Sequence, residues 1–163
     1  MIRPICKDIL FLSKKAVPAT KADIAVGLDL KDTLAAYSDR CVGMAANMIG
    51  INKAVIIISM EDHDLVMFNP VIVSKSDPYE AEEGCLSLSG ERKTERFENI
   101  EVEDFNFAWK KQRIRLSGFE AEIAQHEIDH LNGILYIDHM SAVERLACAA
   151  KLKKLAKQNG GVR

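Results

Sequence analysis

The chain has 163 residues, 48% of them hydrophobic and 28% charged. That composition is ordinarily globular, excludes a disordered or fibrous chain, and suits one domain over residues 1–163 that buries its own core without disulfide staples. Its 22 Lys and Arg against 24 Asp and Glu give a formal net charge of −2, which argues against a DNA-binding surface, since that must neutralise phosphates. No apolar run approaches the roughly 18 residues of a membrane span, and the opening Met-Ile-Arg-Pro-Ile-Cys-Lys-Asp lacks the pattern of a secretory signal. A cytoplasmic protein with no membrane segment is therefore expected. In a reducing compartment the four cysteines are judged singly, and Cys6 and Cys148 read as small buried hydrophobes.

In chain order, residues 1–20 are irregular with apolar anchors at Ile2, Ile5, Ile9, Leu10 and Leu12. Residues 21–39 read as a helix, with Ile24 and Leu28, then Leu30 and Leu34, sharing a face at i, i+4. A glycine-containing loop over residues 41–50 leads into residues 54–59, a short β-branched run suited to a buried strand. Residues 65–68 and 71–73 flank Asn69-Pro70 and read as strand with an edge or bulge at the proline. Residues 77–95 are polar and turn-rich except for the island Cys85-Leu86-Ser87-Leu88. Residues 100–105 and 113–116 alternate in polarity, as half-buried antiparallel strands do. Ser117, with Glu120 three residues on, predicts a capping box and a helix to about Leu131, stopping at Asn132-Gly133. A last helix runs from Ser141 to about Gln158, and its Lys151, Lys153, Lys154 and Lys157 read as a solvated face near the negative end of the dipole. Strands and helices segregate along the chain, so the class is α+β.

The most informative segment is Gln125-His126-Glu127-Ile128-Asp129-His130. Histidines at i and i+4 lie one turn apart on one helix face, so both imidazoles can reach one metal ion. Glu127 projects between them, placed to take a proton from water. A catalytic site of this kind has a third protein ligand. A histidine six residues after His130 is absent, because that position is Tyr136. Glu144 follows His130 by only fourteen residues at the start of a capped helix, and His63 and His139 have no motif around them. Cys85, in Glu83-Gly84-Cys85-Leu86-Ser87, would complete a His₂Cys set as a thiolate.

Taken together, Glu83-Gly84-Cys85-Leu86-Ser87 and Gln125-His126-Glu127-Ile128-Asp129-His130, 41 residues apart from Cys85 to His126, resemble the second and third signature motifs of the bacterial peptide deformylases. The resemblance runs from the N-terminal segment to Ile137-Asp138. It implies an α+β fold with antiparallel sheets packed around a central helix bearing the histidines, and N-terminal and C-terminal helices beside it. It implies removal of the formyl group from the formyl-methionine of nascent proteins by a monomer. Cys85, His126 and His130 would hold one divalent ion, Fe²⁺ in the cell and replaceable by Ni²⁺ or Zn²⁺, which acidifies a water. Glu127 would accept the water's proton and pass it to the departing amine, and the Leu86 N–H would donate to the oxyanion. Val42, Gly43 and Met44 match positions that pair with the peptide as an added strand, and Gly84 and Arg92 match others that line it. By analogy with the family, the lysine-bearing C-terminal helix is the surface that would touch a ribosome.

The first motif departs from the family pattern Gly-x-Gly-hydrophobic-Ala-Ala-x-Gln. Here it reads Cys41-Val42-Gly43-Met44-Ala45-Ala46-Asn47-Met48, with Cys41 in place of the first glycine and Met48 in place of the glutamine. That glutamine is the family's side-chain donor to the oxyanion, and a thioether has no hydrogen to donate. Three readings stay open: Asn47 supplies the amide, the enzyme is slow or acts on another acyl amide, or the chain is a metal-binding paralogue without catalysis. A general metalloprotease is disfavoured by the Cys85 motif. The partner of Glu83 is also open by one position, because the family places an arginine some five residues after Arg92 and this chain has Arg96 followed by Phe97.

Overall fold

The structure is a computed structural model that describes residues 1–39, 41–84 and 91–134. In order these form a one-turn helix α1 (Ile9–Leu12), a 3₁₀ turn (Lys21–Asp23) leading into helix α2 (Ile24–Ala36), strand β1 (Gly43–Ala45) and a second 3₁₀ turn (Ala46–Ile49). Strands β2 (Val55–Ser59), β3 (Asp64–Gly84), β4 (Glu91–Phe105) and β5 (Lys111–Ser117) follow, then helix α3 (Gly118–Leu131). The α+β class holds. The five strands lie in the order β1-β2-β3-β4-β5, every pairing antiparallel between chain neighbours. Cys85, Leu86, Tyr136, His139, Glu144, Cys148 and the helix expected from Ser141 lie outside the described residues.

The core is built on β2. Val55, Ile56, Ile57 and Ile58 are all fully buried, which in a strand of period two means that both faces are covered. Helices α2 and α3 both pack on it, α2 contributing Leu30 and Leu34. Cys6 is buried as expected, and its backbone N–H donates to Met48 O at 2.7 Å, tying the N-terminal segment to the turn after β1. Among the described residues no helix is long and apolar enough to cross a membrane.

Three sequence expectations need correction. The loop over residues 41–50 contains β1 and a 3₁₀ turn; three residues, Gly-Met-Ala, are too short and too small for a legible alternation. Most of the turn-rich stretch over residues 77–95 is a hairpin formed by the ends of β3 and β4. Its inner face carries Ala81, Glu83, Thr94 and Arg96, all buried, and its outer face Glu80, Glu82, Lys93 and Glu95, all exposed. Both faces are mainly polar, so no hydrophobic period marks the strands. Finally, Ser117 stands at the N-cap of α3, but its hydroxyl donates to Asn99 Oδ1 at 3.0 Å and makes no cap bond. Ser117 still belongs to the β5 ladder opposite Asn99, and that pairing claims the side chain before the helix can.

The bulge at Asn69-Pro70 is present as a register shift between Phe68 and Val71. Asn69 adopts φ 53° there, and its amide exchanges two hydrogen bonds with the Ala19 backbone at 2.7 and 2.9 Å. Helix α3 stops where expected, with Gly133 at φ 73°. A Cβ at Gly133 would lie 2.2 Å from the Ser13 carbonyl oxygen, so glycine is required by conformation and by space.

Candidate active site

Helix α3 is docked by its own motif residues. β5 ends at Ser117, opposite Asn99, so among the described residues the backbone of Phe97 two residues upstream on β4 has no strand beside it on that edge. The Gln125 side chain takes the place of one: Phe97 N–H donates to Gln125 Oε1 at 2.8 Å, and Gln125 Nε2 donates to Phe97 O at 2.8 Å. This fixes the helix in height and rotation against β4, and with it the next residue, His126.

His126 and His130 converge as their i, i+4 spacing predicts, with their Nε2 atoms 3.2 Å apart. Ligating atoms of His126, Glu127 and His130 all lie within 4.8 Å of one another, and Glu127 and His130 are buried. The other nitrogen of His126, Nδ1, lies 2.9 Å from Glu83 Oε1 on the β3–β4 hairpin. Glu83 is gripped in turn by Arg96, whose Nε reaches Oε2 at 2.9 Å and whose Nη2 reaches Oε1 at 2.7 Å, while Nη1 donates to Asp129 Oδ2 at 2.5 Å. Arg96 is thus the partner of Glu83. Burial alone would push the Glu83 carboxyl up, but the His126 hydrogen bond and the Arg96 guanidinium outweigh it and hold the group well below the usual carboxylate range. Glu83 is therefore ionised and accepts, so Nδ1 of His126 carries the proton and Nε2 presents its lone pair toward His130.

On the opposite side, β1 lies directly against the helix. A Cβ at Gly43 would fall 2.5 Å from Ile123 Cγ2 and 3.1 Å from Glu127 Oε2. Only glycine lets the strand come this close to the Glu127 carboxyl. The Met48 side chain is buried, and its sulfur accepts the Ala45 N–H at 3.4 Å. Asn47 Nδ2 donates to the His130 carbonyl oxygen at 2.7 Å. Its amide braces the backbone of α3, against the reading that Asn47 stands in for the missing glutamine.

The two imidazoles fit a metal ion. Two nitrogens about 2.05 Å from a tetrahedral centre stand about 3.3 Å apart, close to the 3.2 Å observed. A carboxylate behind one of the histidines, fixing its tautomer, is the usual support for such a ligand. Of the other residues expected at the site, Val42 and Met44 lie on or beside β1, Gly84 pairs with Glu91, and Arg92 pairs through its backbone with Glu83. The Arg92 side chain, like Cys85 and Leu86, lies outside what is described. His63 is not part of this cluster and pairs with its neighbour Asp62. The motif reading overlooked the parts played by Gln125, Asp129 and Asn47. Gln125 and Asp129 lie inside the motif, where their spacing from the histidines was the available signal; nothing in the sequence links Asn47 to His130.

Fold and site together define an α+β metallohydrolase in which two histidines and an acid that could hold a metal share one helix, and the cluster supports a single metal ion. The polypeptide deformylase family model matches residues 2–146. The chain is 53% identical over 137 residues to a peptide deformylase of Clostridium beijerinckii, covering 83% of this chain and 99% of that relative. It is 38% identical over 151 residues to peptide deformylase 3 of Shewanella oneidensis, covering 89% and 92%. The crystal structure of a peptide deformylase from Legionella pneumophila superposes with a TM-score of 0.84 at 34% identity, over 98% of each chain. The chain belongs to the polypeptide deformylase family, and its activity is that of a peptide deformylase.

Proposed function

We propose that this protein hydrolyses the formamide C–N bond at the N-terminal formyl-methionine of nascent peptides, releasing formate and a peptide amine. The observation that carries the reading is the approach of His126 Nε2 and His130 Nε2 to 3.2 Å beside the buried Glu127. His126 and His130, with the Cys85 thiolate as third ligand, would hold one divalent ion, Fe²⁺ in the cell with Ni²⁺ or Zn²⁺ able to replace it. A thiolate–imidazole set suits these metals. When bound, the ion supplies Lewis-acid polarisation and water of lowered pKa. Glu127 takes the water's proton on a carboxylate oxygen and delivers it to the departing amine nitrogen. The Leu86 N–H donates to the charge that develops on the formyl oxygen. Val42, Gly43 and Met44 receive the peptide as an added strand, with Gly84 and Arg92 lining it.

Met48 favours a slower variant of this reaction. Its sulfur is engaged by the Ala45 N–H and has no hydrogen to donate, and the Asn47 amide is directed to His130 O. The oxyanion then relies on Leu86 without a side-chain donor at position 48. The test is formate release from formyl-Met-Ala-Ser by protein loaded with Fe²⁺ without air, or with Ni²⁺. Glu127→Ala should lower the rate by about 10²–10⁴ while metal content stays stoichiometric. Loss of metal in that variant would contradict the separation of base from ligands. Stoichiometric metal without formate from the unaltered protein would favour a binding paralogue.

A further inference from the structure

Strand β1 pairs with β2 alone among the described strands and so forms an edge of the sheet. Gly43 stands opposite Ile58, and Ser59 N–H donates to Val42 O at 2.8 Å. In the alternation of an antiparallel ladder, Val42 and Met44 then turn their N–H and C=O toward β2, and Gly43 and Ala45 turn theirs outward. Sulfur meets two of those outward groups. The Cys41 Sγ–H donates to the Gly43 carbonyl at 2.9 Å, and the Ala45 N–H donates to Met48 Sδ at 3.4 Å. Cys41 and Met48 are also the two positions at which the first motif leaves the family pattern. Glycine at position 41 would have no side chain to reach the Gly43 carbonyl.

We propose that Cys41 is a specificity-determining residue for the deformylation substrate, its thiol competing with the peptide backbone for the outward carbonyl of Gly43. This rests on the reading above that the peptide adds as a strand to β1. An added strand bonds through the outward groups of the edge it joins, so a substrate N–H must displace the thiol to reach Gly43. A thiol is a weak donor, so the exchange is feasible, but the net gain is the difference between two bonds and not a whole one. The backbone N–H of the substrate residue facing Gly43 therefore contributes little to affinity. Formylated peptides whose nitrogen at that position is alkylated, by proline or by N-methylation, should be accepted almost as well as ordinary ones. A protein with no donor at position 41 should discriminate against them.

The experiment uses the metal-loaded full chain and three product peptides: Met-Ala-Ser and its forms N-methylated at Ala or at Ser. Binding is measured by titration calorimetry, with KM and kcat on the formylated series in parallel. In Cys41→Gly and Cys41→Ala, methylation at one of the two nitrogens should weaken binding about three- to tenfold more than in the unaltered protein, the range of one net hydrogen bond. KM should follow and kcat should not. Cys41→Ser, which keeps a donor, should keep the unaltered pattern. Equal methylation effects with and without the thiol overturn the proposal, as does an effect shared alike by both methylated forms. The binding arm needs no turnover. A Cys41-dependent pattern without formate would sink the functional reading and leave the competition of the thiol with a bound peptide standing; formate release without that pattern would sink this proposal alone.

Discussion

The two sides of the site are bonded on different terms. On the α3 side, the half-buried His126 rests on the buried ion pair of Glu83 and Arg96, and Arg96 reaches on to the half-buried Asp129. On the β1 side, the outward groups of Gly43 and Ala45 are met by the sulfur atoms of Cys41 and Met48. A chain of buried charges changes as a whole, because removing one member strands the next in a medium that cannot solvate it. Weak sulfur contacts can be exchanged one at a time. On the α3 side the Gln125–His130 motif matches the family pattern, whereas on the β1 side the first motif departs from it at Cys41 and Met48.

The largest expected effect comes from breaking the charged side. Arg96→Ala leaves the Glu83 carboxylate buried without its guanidinium partner and removes a bond from Asp129. It should destabilise the fold by about 3–5 kcal/mol, read by denaturant unfolding, and weaken metal binding by about 10–100-fold, read by chelator competition. An effect on stability without one on metal affinity would mean that Glu83 does not govern His126.

A buried carboxylate elsewhere in the same sheet sharpens the contrast. Asp104 on β4 is 2% exposed, accepts a hydrogen bond from Gln112 Nε2 at 3.2 Å, and has no guanidinium beside it among the described residues. Burial raises its pKa from 3.8 to about 6, the opposite of the direction at Glu83. The sign of the linkage follows. Below about pH 4 the group is protonated in both folded and unfolded chains and has no effect. Between about pH 4 and 6 the folded chain holds a proton that the unfolded chain has lost, so stability falls as the pH rises. Above about 6 both have lost it and the full penalty stands. Asp104→Asn should therefore stabilise the protein by about 2–3 kcal/mol at pH 8 and by nothing below about pH 4. Equal effects at both pH values would show that the charge is not the cause.

On the β1 side, Gly43→Ala drives a methyl into Ile123 and against the Glu127 carboxyl. It should destabilise by about 1–3 kcal/mol, the usual range for overpacking, and lower kcat together with stability. A lowered stability with kcat intact would mean that β1 can retreat without disturbing Glu127.

Helix α3, its stop at Asn132-Gly133 and the histidine pair were legible in the sequence, because each rests on a local period or cap. The buried run in β2 was legible for the same reason. The hairpin carrying Glu83 and Arg96 was not, since its inward face is made of the charged residues the site requires and mimics a solvated turn. Sequence reasoning fails there because function has replaced the hydrophobic residues that would have announced the strand. The Glu83–Arg96 pair is a cross-strand and diagonal contact, visible only once the register places Glu83 opposite Arg92. The role of Asn47 is of the same kind: it reaches the carbonyl of a residue 83 positions away.

If the His126–Glu127–His130 cluster is competent and only a polar donor at position 48 is missing, restoring that donor should speed the reaction. Met48→Gln tests it most directly, with kcat for formate release from formyl-Met-Ala-Ser as the measurement. A glutamine there can accept the Ala45 N–H on Oε1, as Met48 Sδ does now, and leave Nε2 to donate to the formyl oxygen. kcat should rise, by up to about 10²–10³, the usual weight of one oxyanion donor, with KM little changed. An unchanged or lowered kcat in a folded, metal-loaded variant would contradict it.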